Sequence, residues 1–173
     1  LVSGGDRRFM AFYEVDSPAV LNSPIYLERL ENPTAWTAEA MKSFRGMVRT
    51  VCDLKAIAGK LAGSHAVVLR ADGAMAPTAG ADKLVGKLAG EDGIARVQMW
   101  TAATQQTKAD TAEMKSRGKD QLIAGAFIVE CVRRSDADRV AANLAANGPP
   151  PELGISGASA LGVYSLLCIY QKA

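Results

Sequence analysis

The chain has 173 residues, 49% of them hydrophobic, with 20 basic residues against 18 acidic ones and a formal net charge of +2. These values suit one ordinary folded domain and exclude intrinsic disorder, collagen and coiled coil. So even a charge balance gives no electrostatic footprint for nucleic acid or an anionic membrane, and neither is expected as a partner.

The run Arg8 to Val15 (RFMAFYEV) is rich in aromatic and β-favouring residues and predicts a first strand. Asp16-Ser17-Pro18 ends it, with Ser17 as N-cap and Pro18 at the first helical position. Ser23-Pro24 repeats that signal ahead of a helix carrying Ile25, Leu27 and Leu30, which Pro33 breaks. Thr37 is then read as the cap of a short helix with Ala40, Met41 and Phe44 inward. Gly46 to Leu54 (GMVRTVCDL) predicts a second strand and Ser64 to Ala71 (SHAVVLRA) a third, joined by a small polar connection.

After a loop from Asp72 to Gly80, Ala81 to Ala89 predicts a helix with Leu84, Val85 and Leu88 on one side. Ala95 to Ala102 predicts a fourth strand, Thr107 to Arg117 a polar surface helix, and Leu122 to Val132 a long apolar strand. Ser135 opens a helix over Asp136 to Ala146, which Asn147-Gly148-Pro149-Pro150-Pro151 stops. Gly154, Gly157 and Gly162 read as a flexible loop before a last strand, Val163 to Gln171. With those glycines, the uncharged stretch from Leu153 to Gln171 does not suit a membrane helix.

An internal similarity links ADKLVGKLA at 81–89 to ADRVAANLA at 137–145. Each helix lies between two predicted strands. This predicts a degenerate duplication with half-repeats at about 7–93 and 94–173 inside a single domain spanning 1–173. A strand–helix–strand–strand–helix–strand order is the ferredoxin-like motif, so the fold class expected is α+β.

Cys52, Cys131 and Cys168 are too few and too far apart for a disulfide framework or a thiolate zinc site. They read as small hydrophobic residues in a reducing, cytoplasmic setting. The single histidine, His65, excludes metal sites that need two. No Gly-x-Ser-x-Gly elbow, dinucleotide fingerprint or P-loop occurs. No metal and no cofactor are therefore expected.

Alternation along the strands places Arg96, Gln98 and Trp100 on one face, and Ala126, Ile128 and Glu130 on one face. Glu130 within IVECV is the most expensive residue in the chain to bury unpaired. Two readings stay open for it: an ion pair with Arg49, or a general acid or base in a polar pocket. His65, at a strand start, is either a proton-transfer partner or a hydrogen-bonded strand-end residue. The catalytic candidates are thus Glu130 and His65, and the substrate-binding candidates are Arg49, Tyr13 and Trp100.

The element order, together with the run FYEVDSPAVLNSPIYLERLENPTAWT, resembles the dimeric α/β-barrel superfamily. That group includes EthD-like proteins, antibiotic-biosynthesis-type monooxygenases and muconolactone isomerases. The resemblance implies two facing ferredoxin-like sheets around a small-molecule pocket, formed here by the two halves of one chain as a pseudo-dimeric barrel. It implies a small-molecule binder, or a cofactor-independent enzyme performing proton transfer or oxygenation of a reactive organic substrate. The competing expectation is a non-catalytic assembly or regulatory module that uses its sheet face to form a homodimer.

Overall fold

A computed structural model describes residues 2–3, 6–104, 111–112, 115 and 120–169. It is an α+β protein whose chain gathers into two compact units. The first comprises Leu1–Ala11, Asp53–Thr101 and Ala124–Ala173, and the second Phe12–Cys52 and Ala102–Ile123.

The first unit is built on a sheet of β1 (Val2–Ser3), β2 (Cys52–Ala58), β3 (His65–Ala71), β5 (Ile94–Ala102), β6 (Gly125–Cys131) and β8 (Ser159–Ser165), in the spatial order β1-β8-β3-β6-β5-β2. The pairs β1–β8, β8–β3, β3–β6 and β6–β5 are antiparallel. Helix α3 (Ala81–Ala89) connects β3 to β5, and helix α4 (Arg134–Asn147) connects β6 to β8. Two short strands, β4 (Ala74–Met75) and β7 (Ile155–Ser156), pair beside the main sheet. Gly154 leads into β7 with φ +57°, and a side chain there would collide with the carbonyl of Ala76. The glycines read as a flexible loop thus include one fixed by a close backbone approach.

Both helices pack on one face of the sheet. Alternation puts Val67 and Leu69 of β3, Val97 and Met99 of β5, Phe127, Val129 and Cys131 of β6, and Val163 of β8 on that face. Ala81 and Val85 of α3 and Ala137 of α4 close over them, flanked by Leu84, Leu88, Val140 and Leu144. The helices at 81–89 and 137–145 therefore share one core. Strands from both expected half-repeats lie in this one sheet, rather than each half forming a sheet of its own.

Several predicted elements move. Residues 8–15 form no strand. Their apolar side chains fall on both parities (Phe9, Met10, Phe12, Tyr13), which gives no face to bury, and all four are exposed. The second strand is displaced toward the C-terminus, to Cys52–Ala58. It lies at the outer edge of the sheet, where Lys55 and Asp53 reach water, so polar composition did not bar it. The last strand ends at Ser165 because its partner β3 begins at His65, after one further bond from Leu166 N–H to the Ser64 carbonyl. The predicted helix Thr107 to Arg117 falls outside the described residues, apart from 111–112 and 115.

In the second unit, Ser17 caps a 3-10 turn at Pro18–Asn22, and Ser23 caps helix α1 (Pro24–Glu31). Helix α2 spans Ala35–Met41. Its cap is Thr34, whose hydroxyl accepts from the Thr37 N–H, and not Thr37 itself. No helix among the described residues is long and apolar enough to cross a membrane.

Candidate functional site

The sheet face turned away from α3 and α4 carries three transverse rows of side chains. Pairing registers align Tyr164, Ala66, Glu130 and Arg96 in the first row. The second holds Gly162, Val68, Ile128 and Gln98, and the third Ala160, Arg70, Ala126 and Trp100. The middle of this face is low, made of alanine, glycine, valine and isoleucine. Tyr164, Arg96, Trp100 and Arg70 stand around it. At Gly162 a β-carbon would come within 2.8 Å of the Tyr164 ring, so the absent side chain leaves room for that ring to lie along β8.

A continuous hydrogen-bonded chain runs up one side of the face. Trp100 Nε1 donates to Gln98 Oε1 at 2.8 Å, and Gln98 Nε2 donates to Glu130 Oε1 at 3.0 Å. Arg96 Nε donates to the same Glu130 oxygen at 2.7 Å, and the Gly63 N–H donates to Glu130 Oε2 at 2.9 Å. Gln98 is 1% exposed and Glu130 8%. A charge that deep persists only when paired and hydrogen-bonded, and here both carboxylate oxygens have donors.

Gly63 belongs to the loop between β2 and β3, which crosses the end of the sheet. A β-carbon at Gly63 would stand 2.7 Å from both the N and the O of Cys131, and one at Gly59 2.8 Å from Arg96 Cα. The loop is seated on the strands by contacts only glycine permits.

Arg70 is held differently. Its Nε donates to Asp72 at 2.6 Å and its terminal nitrogens to Asp6 at 2.8 and 3.2 Å. The Arg70 guanidinium beside Asp6 lowers the pKa of that carboxyl group. Burial raises the phenol pKa of Tyr164.

The expected site residues do not assemble as one constellation. Glu130 is buried, but its cation is Arg96 and not the expected Arg49. Arg49 belongs to the second unit, where its Nη2 donates to the Tyr26 hydroxyl at 2.7 Å. His65 pairs across the ladder with Cys131, so it lies on the helix-covered face, opposite Glu130, with Nδ1 3.1 Å from the Ser165 hydroxyl. The two catalytic candidates therefore lie on opposite faces of the sheet. Tyr13 is 83% exposed in a segment without regular structure. Trp100 alone among the binding candidates shares a face with Glu130.

Sequence reasoning missed Arg96 and Gln98 as partners of Glu130. Part of the signal was present, since Arg96, Gln98 and Trp100 recur at period two in an otherwise apolar strand. A separate cleft of about 270 Å³ lies between α4 and β8. Its one ionisable lining residue, Asp138, is already bonded by Arg134 at 2.8 Å. Among the described residues no cluster of three or more His, Cys, Asp or Glu could hold a metal ion. No protein-family model matches the chain, and neither the curated proteins nor the solved structures contain a match to it.

Proposed function

We propose that this chain binds a small organic molecule at the partly exposed edge of this sheet face, beside Trp100 and Arg96, since Val68 and Ile128 in its middle are buried. The observation that carries this reading is the buried chain from Trp100 through Gln98 to Glu130 and Arg96. A fully connected polar network on a sheet face fixes several side chains in one geometry, which is what a binding surface needs and an apolar core does not. The path β3-α3-β5-β6-α4-β8, with spatial order β8-β3-β6-β5, supports a ferredoxin-like reading. It is also compatible with the dimeric α/β-barrel resemblance, with the second sheet coming from a second copy.

Within this reading Glu130 is a positioning residue. Three donors already hold its two oxygens, and the carboxylate is buried, so it is placed to orient its neighbours. Binding without chemistry is the simpler assignment, and enzymatic proton transfer at Glu130 is the less supported one. A fragment screen by amide NMR tests the proposal. Shifts clustered around Arg96, Trp100 and their neighbours on β5 and β6 support it. Fragments that bind only elsewhere overturn it.

The assembly reading draws on one different observation, the exposed run of Phe9, Met10, Phe12, Tyr13 and Val15. A patch of that kind suits a protein partner or a homodimer. Sedimentation of the wild type against a variant with Phe9 and Tyr13 changed to Ser decides it, because only an interface at this run predicts a loss of association.

A further inference from the structure

Strand β2 closes one end of the sheet order, and among the described residues no strand pairs with its outer side. Its two ends show which backbone groups it spends on β5. The Val51 carbonyl accepts from the Ala103 N–H at 2.9 Å, and a β-carbon at Gly59 would collide with the Ala95 carbonyl. Strand β2 therefore runs antiparallel to β5, and alternation turns the N–H and C=O groups of Asp53, Lys55 and Ile57 toward it. Leu54 and Ala56 turn theirs outward. This edge is seven residues long and holds no proline, and its apolar side chains Leu54 and Ile57 are 42% and 49% exposed. Asp53 and Lys55, on either side of Leu54, also reach solvent, and the ion pair between them within the chain is long at 3.5 Å. An edge of this kind is a template for another strand.

We infer that β2 pairs antiparallel with β2 of a second copy of this chain, about a two-fold axis at Leu54, so that two sheets join edge to edge. Charge selects both the occupant and the register. Centred on Leu54, the pairing sets Asp53 of each copy opposite Lys55 of the other, twice over by symmetry. Centred on Asp53 or on Lys55, it would set like charges directly opposite each other. The backbone agrees with the first register. Leu54 points its N–H and C=O outward, so the two copies of Leu54 exchange both hydrogen bonds across the axis. Asp53 and Lys55 then form the non-hydrogen-bonded pairs, in which side chains stand closest. The same contact covers exposed apolar surface of Leu54. It lies apart from the run at residues 9–15, and it does not rest on the small-molecule reading.

Sedimentation velocity of the full chain over a range of concentrations tests the pairing, with two charge variants beside the wild type. The wild type should dimerise reversibly. Asp53→Lys alone and Lys55→Asp alone set like charges opposite each other, and each should weaken the dimer about fivefold or more. Mixed in equal amounts, the two variants should associate at least as tightly as wild type, because every lysine of one copy then meets an aspartate of the other. Hydrogen exchange at the Leu54 amide of the wild type should slow as concentration rises, while the Asp53 amide, which faces β5, stays unchanged. That measurement needs no variant to fold. A wild type that stays monomeric would overturn the inference. So would a dimer indifferent to both charge changes, or a mixture no tighter than either variant alone. A dimer dissolved by changing Phe9 and Tyr13 to Ser but not by the charge changes would place the interface at residues 9–15, and would overturn it too.

Discussion

Glu130 on β6 and Arg96 on β5 face each other directly across the ladder, with 2.7 Å between Oε1 and Nε. The pair is only part of the arrangement, because the same oxygen also accepts from Gln98 and the other accepts from a loop backbone. Removing the carboxylate would therefore strand three donors at once.

Glu130→Leu should lower stability to urea by about 3–5 kcal/mol, the range for leaving one member of a buried pair alone. Glu130→Gln keeps the shape and one acceptor and should cost less, about 1–3 kcal/mol. The double variant Glu130→Leu/Arg96→Met should recover part of the loss, since no stranded charge remains. A double variant as unstable as the sum of its singles would show that the two side chains are not coupled.

Two glycine substitutions should act with opposite sign. Gly63→Ala drives a β-carbon into the Cys131 backbone, which has no room to give, and should cost about 1–3 kcal/mol. Gly86 lies inside α3 with nothing within 4 Å of an added β-carbon. Gly86→Ala should stabilise by roughly 0.5–1 kcal/mol through helix propensity alone. Thermal melts of both variants check the pair, and a neutral Gly63→Ala would mean the loop does not sit on the strands as described.

Asp6 is the acid-sensitive contact on this face. Its folded pKa is lowered, first by the hydrogen bond from Arg70. The sign follows: the contact stabilises above the unfolded carboxyl value of 3.8 and is lost as pH falls through the lower folded value. Because Asp6 is largely exposed, Asp6→Asn should cost no more than about 1 kcal/mol near neutral pH. The difference from wild type should vanish below that window, as measured by urea titrations at a series of pH values.

Cys131 and Cys168 should separate by reactivity. Burial pushes the Cys131 thiol up to about 11, whereas Cys168 is exposed. A thiol reagent at pH 8 should label Cys168 at once and Cys131 only after unfolding. The advantage of the buried neutral thiol is complete below 9.0 and falls away as pH climbs through about 11, so the wild type should weaken there relative to Cys131→Ala. Prompt labelling of Cys131 in the folded protein would contradict its burial.

Local signals in the chain were sufficient where pattern and packing agree. Helix α3 was legible to the residue because Leu84, Val85 and Leu88 form one stripe bounded by glycines. The central strands β3, β5 and β6 announced themselves as apolar runs. Residues 8–15 misled because β-propensity says how a side chain fits a sheet and not whether a partner strand is present. Glu130 was legible as a costly burial, but its partner was not. Arg49 and Arg96 look equivalent along the sequence, and only the register between β5 and β6 selects Arg96. His65 was placed at a strand start correctly, yet its face depended on the same register.

The strand order has a consequence for how the chain is made. Strand β3 sits at the centre of the sheet, and its end at Ala71 pairs with Gly125 and Ser159. Both partners are synthesised later, the nearer one more than about fifty residues on. At a ribosomal rate of roughly 5–20 residues per second, Val67 and Leu69 would wait for some seconds before β6 emerges to pair with them. So non-local a ladder folds slowly, which leaves the nascent β3 exposed to wrong pairing until its partners emerge.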